Sequence, residues 1–265
     1  MFIKSLTYLI RSHILLAVFS FFFLYGLNFY YQGAFTYSLT ISFGILGVYN
    51  FHRLWKFKKG RLPLEINSWT FYNRRSIWFF SVSMLISAMT LYLIFFSGNF
   101  TQNIAAFICL TISIFYVKRV KSLSLREIPY MKVFFVIAIW FILFFVFPYM
   151  LFNAPQEWGI ALMFLFVILI PSDIKDVFFD HQKMRTIPQV FGLNGSIRMI
   201  QIVVVTALLI LICFRASVSH IEAWAAGFSY LLLLSFMFKK IGYKYFFVLV
   251  DFAFLLVGII SIYFK

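Results

Sequence analysis

Acidic residues are scarce in this sequence: eight Asp and Glu stand against 23 Lys and Arg in 265 residues. Charged residues of both signs make up 12% of the chain and hydrophobic ones 63%. So few polar side chains cannot cover a water-soluble globule of this size, which excludes that class and leaves lipid as the solvent for most of the surface. Alternating ten-residue strands are also missing. The apolar runs are continuous and roughly 17 to 22 residues long, so a β-barrel is excluded and helices carry the chain through the bilayer. Cysteine is limited to Cys109 and Cys213, both inside apolar runs, which excludes a disulfide framework. The N-terminus has Lys4 and an apolar stretch, but Arg11 and His13 interrupt it and no small-residue cleavage pattern follows. It is expected to be a first span and not a signal peptide.

What is present is a series of nine apolar stretches, near 12–30, 34–54, 76–97, 101–117, 132–152, 157–172, 197–214, 219–238 and 244–263. Nine spans place the two termini on opposite sides. Of the 23 Lys and Arg residues, all but Arg215 and Lys265 then fall on the side of the N-terminus. The positive-inside rule puts that side in the cytoplasm. The expectation is one polytopic domain over residues 1–265, an all-α bundle of about nine transmembrane helices in a membrane of the bacterial inner-membrane type. The outer loops are very short, while the first three inner loops between helices are long and polar, so function is expected on the inner side. Topology and attraction to anionic head groups account for most of the net charge of +15, and no nucleic-acid partner is called for.

The acids carry more information because they are few. Asp173, Asp176 and Asp180 are three of the four Asp residues. On a helix, spacings of i, i+3 and i+7 bring them within an arc of about 60°. Like charges so placed repel, and an Asp at bilayer depth costs about 2.5 to 3.5 kcal/mol. Something cationic must compensate. One reading is ordinary neutralisation by Lys175, Lys183 and Arg185. The other is a hard-cation site, since several carboxylates on one face suit Mg²⁺ held jointly by protein and substrate phosphates.

At the inner end of a sixth span, Asp173-x-x-Asp176-x-x-x-Asp180 followed by Arg185-Thr186-Ile187-Pro188-Gln189-Val190-Phe191-Gly192 resembles the second aspartate-rich motif of the UbiA superfamily of intramembrane prenyltransferases. The likeness extends to nine spans with the N-terminus inside, and to a basic loop from Lys118-Arg119 through Arg126 to Lys132. At the inner end of the second span, where the family has its first motif, this chain reads Tyr49-Asn50-Phe51-His52-Arg53-Leu54-Trp55-Lys56-Phe57-Lys58. Only the Asn of the family's Asn-Asp-x-x-Asp-x-x-x-Asp survives; Phe51, Leu54 and Lys58 stand at the acidic positions. The Tyr-x-x-x-Lys feature is altered as well: with Lys118 as its Lys, Ile114 takes the Tyr position and Tyr116 lies nearby.

The resemblance implies an enzyme that moves an isoprenyl group from an allylic diphosphate to a lipid-soluble acceptor, most simply an aromatic one of the quinone type. It implies Mg²⁺ bound by Asp173, Asp176 and Asp180, with Asn50 joining them as a catalytic residue. It further implies diphosphate binding by Lys58, Arg53, Lys118, Arg119, Lys183 and Arg185, which supply charge that the lost acids and their metal would have supplied. The alternative is a UbiA-like membrane protein that binds a lipid or a partner without catalysis.

Asp251, about two turns into the ninth span, is either functional or hydrogen-bonded to a neighbouring helix. His13 and His52 lack partners at metal-ligand spacing and are expected to pack. Pro171 is expected to bend the sixth helix ahead of the aspartates. Aromatics make up 23% of the chain, chiefly for lipid contact and helix packing.

Overall fold

The computed structural model describes residues 13–58, 74–96, 111–113, 116, 128–152, 157–177, 185–214, 218, 220–241 and 243–264, and every regular element among them is helical. The helices are α1 (Ile14–Asn28), α2 (Ala34–Lys58), α3 (Arg74–Phe96), α4 (Lys132–Phe141), α5 (Phe147–Phe152), α6 (Trp158–Asp176), α7 (Ile187–Cys213), α8 (Ile221–Ile241) and α9 (Tyr243–Tyr263). They answer eight of the nine expected spans, α4 and α5 together forming one. The fourth span lies outside the described residues except at 111–113 and 116, which are helical. Three helical stretches, Lys132–Met150, Ile187–Cys213 and Ile221–Ile241, are long and apolar enough to cross a membrane, and four shorter apolar helices accompany them. Their outward faces are greasy: Ile212 on α7 is 74% exposed and Phe236 on α8 is 71% exposed.

Two boundaries differ from the expectation. The second helix does not stop near residue 54 but runs on through Arg53, Lys56 and Lys58, because this segment is rich in good helix formers and meets no Gly or Pro before Gly60. The seventh begins at Ile187, ten residues earlier than the apolar stretch, with the Gln189 side chain accepting from the Thr186 N–H at 3.0 Å as a helix cap. Gly192, at φ 70°, then breaks the helix before it resumes, a conformation glycine adopts without steric cost.

Along the bundle, α3 packs on α2, α2 on α1, α1 on α9, α9 on α8, α8 on α7, and α7 on α6; α6 also meets α4 and α9. The centre is aromatic. Phe23 of α1 stacks on Phe164 of α6 at 5.7 Å between ring centres, and meets Phe254 of α9 edge-on at 5.0 Å. Trp224 of α8 and Phe144 close the same cluster. Helices α1 and α9 cross at two glycines, where backbones touch. A Cβ on Gly26 would overlap the Gly258 carbonyl, and one on Gly258 would overlap the backbone of Phe22.

Between α4 and α5 the chain passes through a π-helical stretch, Ile142–Val146, in which the Phe147 N–H bonds to the Ile142 carbonyl. That shift leaves the Leu143 carbonyl without Phe147, and the next residue in line, Pro148, has no N–H to offer. The Tyr37 hydroxyl of α2 donates to Leu143 O and fills the gap. A proline inside the span is thus tolerated because a neighbouring helix supplies the missing donor.

Gly26→Ala is expected to lower stability by about 1 to 3 kcal/mol through overpacking against α9. Gly44→Ala, where an added Cβ meets nothing within 4 Å, is expected to be neutral or to stabilise by up to about 1 kcal/mol. Melting temperatures of the purified variants in one detergent measure both.

Candidate functional site

The last turn of α6 carries Asp173 and Asp176, one helical turn apart and therefore on one face. Asp173 is 3% exposed and lies one turn along α6 from Leu169, which packs with Val133 and Ile137 of α4. A charge in such a place must be paired. Its partner is Lys132, the first residue of α4, itself 7% exposed: Nζ lies 2.6 Å from Asp173 Oδ1 and 3.5 Å from Asp176 Oδ2. One ammonium is shared by two carboxylates.

Both partners stand at the less favourable end of their helices. The C-terminus of a helix carries partial negative charge, and α6 places two acids there; the N-terminus carries partial positive charge, and α4 places a lysine there. Because α4 and α6 lie side by side with these ends together, each charge offsets the conflict of the other. The same arrangement leaves the first-turn amides of α4, where Met131 provides no side-chain cap, beside the lysine.

Arg185, expected at the diphosphate, is exposed and faces Tyr130: Nη1 donates to the tyrosine hydroxyl at 3.1 Å, with the guanidinium carbon 6.0 Å from the ring centre. Both residues have left-handed backbones, at φ 46° and 65°, and their contact ties the start of α7 to the start of α4. Of the three cations expected to neutralise the aspartates, Arg185 thus faces Tyr130, and the Lys175 side chain and Lys183 lie outside the described residues; Lys132 is the cation seen at Asp173 and Asp176.

Asn50 is fully buried in α2 and its Nδ2 donates to Leu46 O at 2.8 Å. Its neighbour Tyr49 links the α2 segment to the rest. The Tyr49 ring meets His13 at 5.0 Å and Trp140 of α4 at 6.4 Å, and it lies within electrostatic reach of both Asp176 and Asp251. Trp140 in turn stacks on Phe254 at 5.4 Å, one turn along α9 from Asp251. Asp251 thus faces the polar and aromatic cluster around Tyr49. His52 is held by Ser113, 2.7 Å from Nε2 to the carbonyl, and by the Tyr116 ring at 5.8 Å, which is a packing role.

Arg53 and Lys58 fall in the closing turns of α2, with side chains outside the described residues. Asp180, Lys118, Arg119 and Lys183 also lie outside them. Among the described residues no three His, Cys, Asp or Glu side chains converge as a metal centre. The donors that do converge, Asp173 and Asp176, fit Mg²⁺ in kind, since this ion is commonly held by one or two carboxylates and completed by water and substrate phosphates. The point between them is where the Lys132 ammonium sits. Sequence reasoning placed Lys132 in the basic loop and gave it no role; a lone lysine opening an otherwise apolar helix was the available signal.

Lys132→Met alone should cost about 3 to 5 kcal/mol, because it leaves a buried carboxylate without its cation. The double variant Lys132→Met with Asp173→Asn should recover most of that loss. A double-mutant cycle in thermal unfolding measures the coupling.

Comparison with known proteins yields no match: no family model matches the chain, and no curated protein or solved structure matches it.

Proposed function

We propose that the chain is a divergent intramembrane prenyltransferase of the UbiA type, a nine-span bundle with its N-terminus and its basic end in the cytoplasm. What carries the reading is the carboxylate pair at the end of α6, buried Asp173 and half-buried Asp176, facing the lysine that opens α4. Carboxylates and a cation gathered at the rim of an apolar bundle suit a substrate with a diphosphate head and an isoprenoid tail. In the transfer, the allylic carbon–oxygen bond breaks and its electron pair leaves on the diphosphate. The acceptor bonds to the allylic carbon and gives up a proton. Asp173 and Asp176, with Asp180 from the same motif, would hold Mg²⁺, which supplies positive charge to the departing diphosphate. Lys132 and the basic residues Lys58, Arg53, Lys118, Arg119 and Lys183 would meet the remaining negative charge. The acceptor is taken to be lipid-soluble and aromatic, of the quinone-precursor type.

One observation favours the second reading, a UbiA-like protein that binds a lipid or partner without turnover. Asp173 and Asp176 of the second motif already share the Lys132 ammonium, and the first motif has Phe51, Leu54 and Lys58 where acids would stand.

The test supplies the purified protein with labelled prenyl diphosphates, Mg²⁺ and a panel of quinone precursors. A prenylated product that Asp176→Asn reduces by about 10²-fold or more is expected. Magnesium-dependent binding of a non-hydrolysable prenyl diphosphate without product would establish the second reading. Neither product, diphosphate release nor binding would end the transferase reading and leave only a structural role.

A further inference from the structure

The conflict between charge and helix dipole at the α4–α6 junction has a chemical use. We infer that Lys132 is an exchangeable counter-ion: it closes the Asp173–Asp176 site until a divalent cation and a diphosphate arrive together, and then passes from the carboxylates to the diphosphate. This rests on the prenyltransferase reading and assigns the site's order of assembly to one residue.

Three observations carry it. The first is position: the Lys132 ammonium is 2.6 Å from Asp173 and 3.5 Å from Asp176, where a cation bridging the two carboxylates would sit. The two cannot share that place. The second is burial: both Lys132 and Asp173 are nearly inaccessible, so removing either charge without a replacement is strongly unfavourable. A metal that displaced the ammonium alone would take Lys132 off the carboxylates it now pairs with. A diphosphate alone would draw the lysine off Asp173 and Asp176. The joint arrival replaces both members of the ion pair at once, a cation for the carboxylates and an anion for the lysine.

The third is the helix ends. A divalent cation against the C-terminus of α6 and a diphosphate against the N-terminus of α4 are each on the favourable end of a dipole, whereas Asp173 and Lys132 now stand on unfavourable ones. The Lys132 side chain starts in the first turn of α4, so its ammonium can reach an anion placed over that turn with a change of rotamer and no movement of the helix.

The experiment uses the full chain in detergent, with Mn²⁺ and inorganic diphosphate as probes in equilibrium dialysis. On the unaltered protein, Mn²⁺ alone is expected to be retained weakly, and diphosphate to raise its retention, although free diphosphate lowers the free Mn²⁺. Lys132→Gln is expected to bind Mn²⁺ alone roughly ten-fold or more tightly than the unaltered protein, and to regain thermal stability when the metal is added. In that variant, diphosphate should no longer raise retention. Lys132→Arg keeps the charge and should keep the unaltered pattern, and Asp173→Asn should lose metal retention in every condition.

Retention of Mn²⁺ on the unaltered protein that diphosphate does not raise would overturn the inference without recourse to any variant. So would a Lys132→Gln protein whose metal affinity matches that of the unaltered chain. If prenyl transfer sensitive to Asp176→Asn is found but metal and diphosphate bind independently, the inference fails and the transferase reading stands. If they bind jointly and no prenyl transfer occurs, the exchange stands and the protein is a binder.

Discussion

A polar group inside an apolar bundle has almost no water to turn to, so leaving one unanswered is costly, and the cost rises steeply from a hydroxyl to a full charge. The serines of α2 illustrate its mildest form, Ser38 and Ser42 bonding back to the carbonyls of Ala34 and Ser38. The Leu143 carbonyl, released by the π-helical stretch, takes the hydroxyl of Tyr37. At the end of the bundle away from Lys132, the indole N–H of buried Trp224 donates to Glu157, which binds α8 to the start of α6. The strongest case is the pair of Asp173 and Lys132, because there the unanswered group would be a full charge.

That same cost separates ordinary packing from the site. The serines of α2 and Tyr37 bond to a carbonyl nearby or across one helix contact, and each exchange is neutral. Around α4 and α6 the answer is ionic, two acids against one base, placed at helix ends that disfavour both. A bundle selected for stability alone could hold apolar side chains of similar size there; buried ion pairs replaced in that way are often neutral or stabilising. Three ionisable groups stand here where apolar ones would serve, and for that reason the proposal centres on this junction.

Much of the helix layout was legible because apolar length is a one-dimensional property. Runs such as 219–238 and 244–263 sit almost unchanged inside α8 and α9. The start of α7 was hidden because Gln189, Asn194 and Arg198 dilute its apolar character, although Thr186 and Gln189 already had the spacing of a helix cap. The π-helical stretch could not be read, since it depends on Tyr37, 106 residues from Leu143 in sequence. For the site, periodicity correctly set Asp173 and Asp176 on one face, but the choice of their cation is a matter of which helix lies alongside. Loop charge pointed to Lys175, Lys183 and Arg185, whereas Lys132 comes to Asp173 and Asp176 through the packing of α4 on α6.

On the proposed reading, the placement of Tyr49 connects the acid-poor end of α2 to this outcome. In α2 the buried Asn50 donates to Leu46 O, and the neighbouring Tyr49 is near enough to Asp176 and Asp251 to feel both charges. On the proposed reading, a second cluster of acids on α2 would bring more negative charge close to two carboxylates that already share one ammonium. With Phe51, Leu54 and Lys58 there instead, the junction carries fewer negative charges, and the lysine of α4 suffices to hold it closed. On that reading the absence of acids from this end of α2 and the burial of Lys132 are two parts of one charge balance.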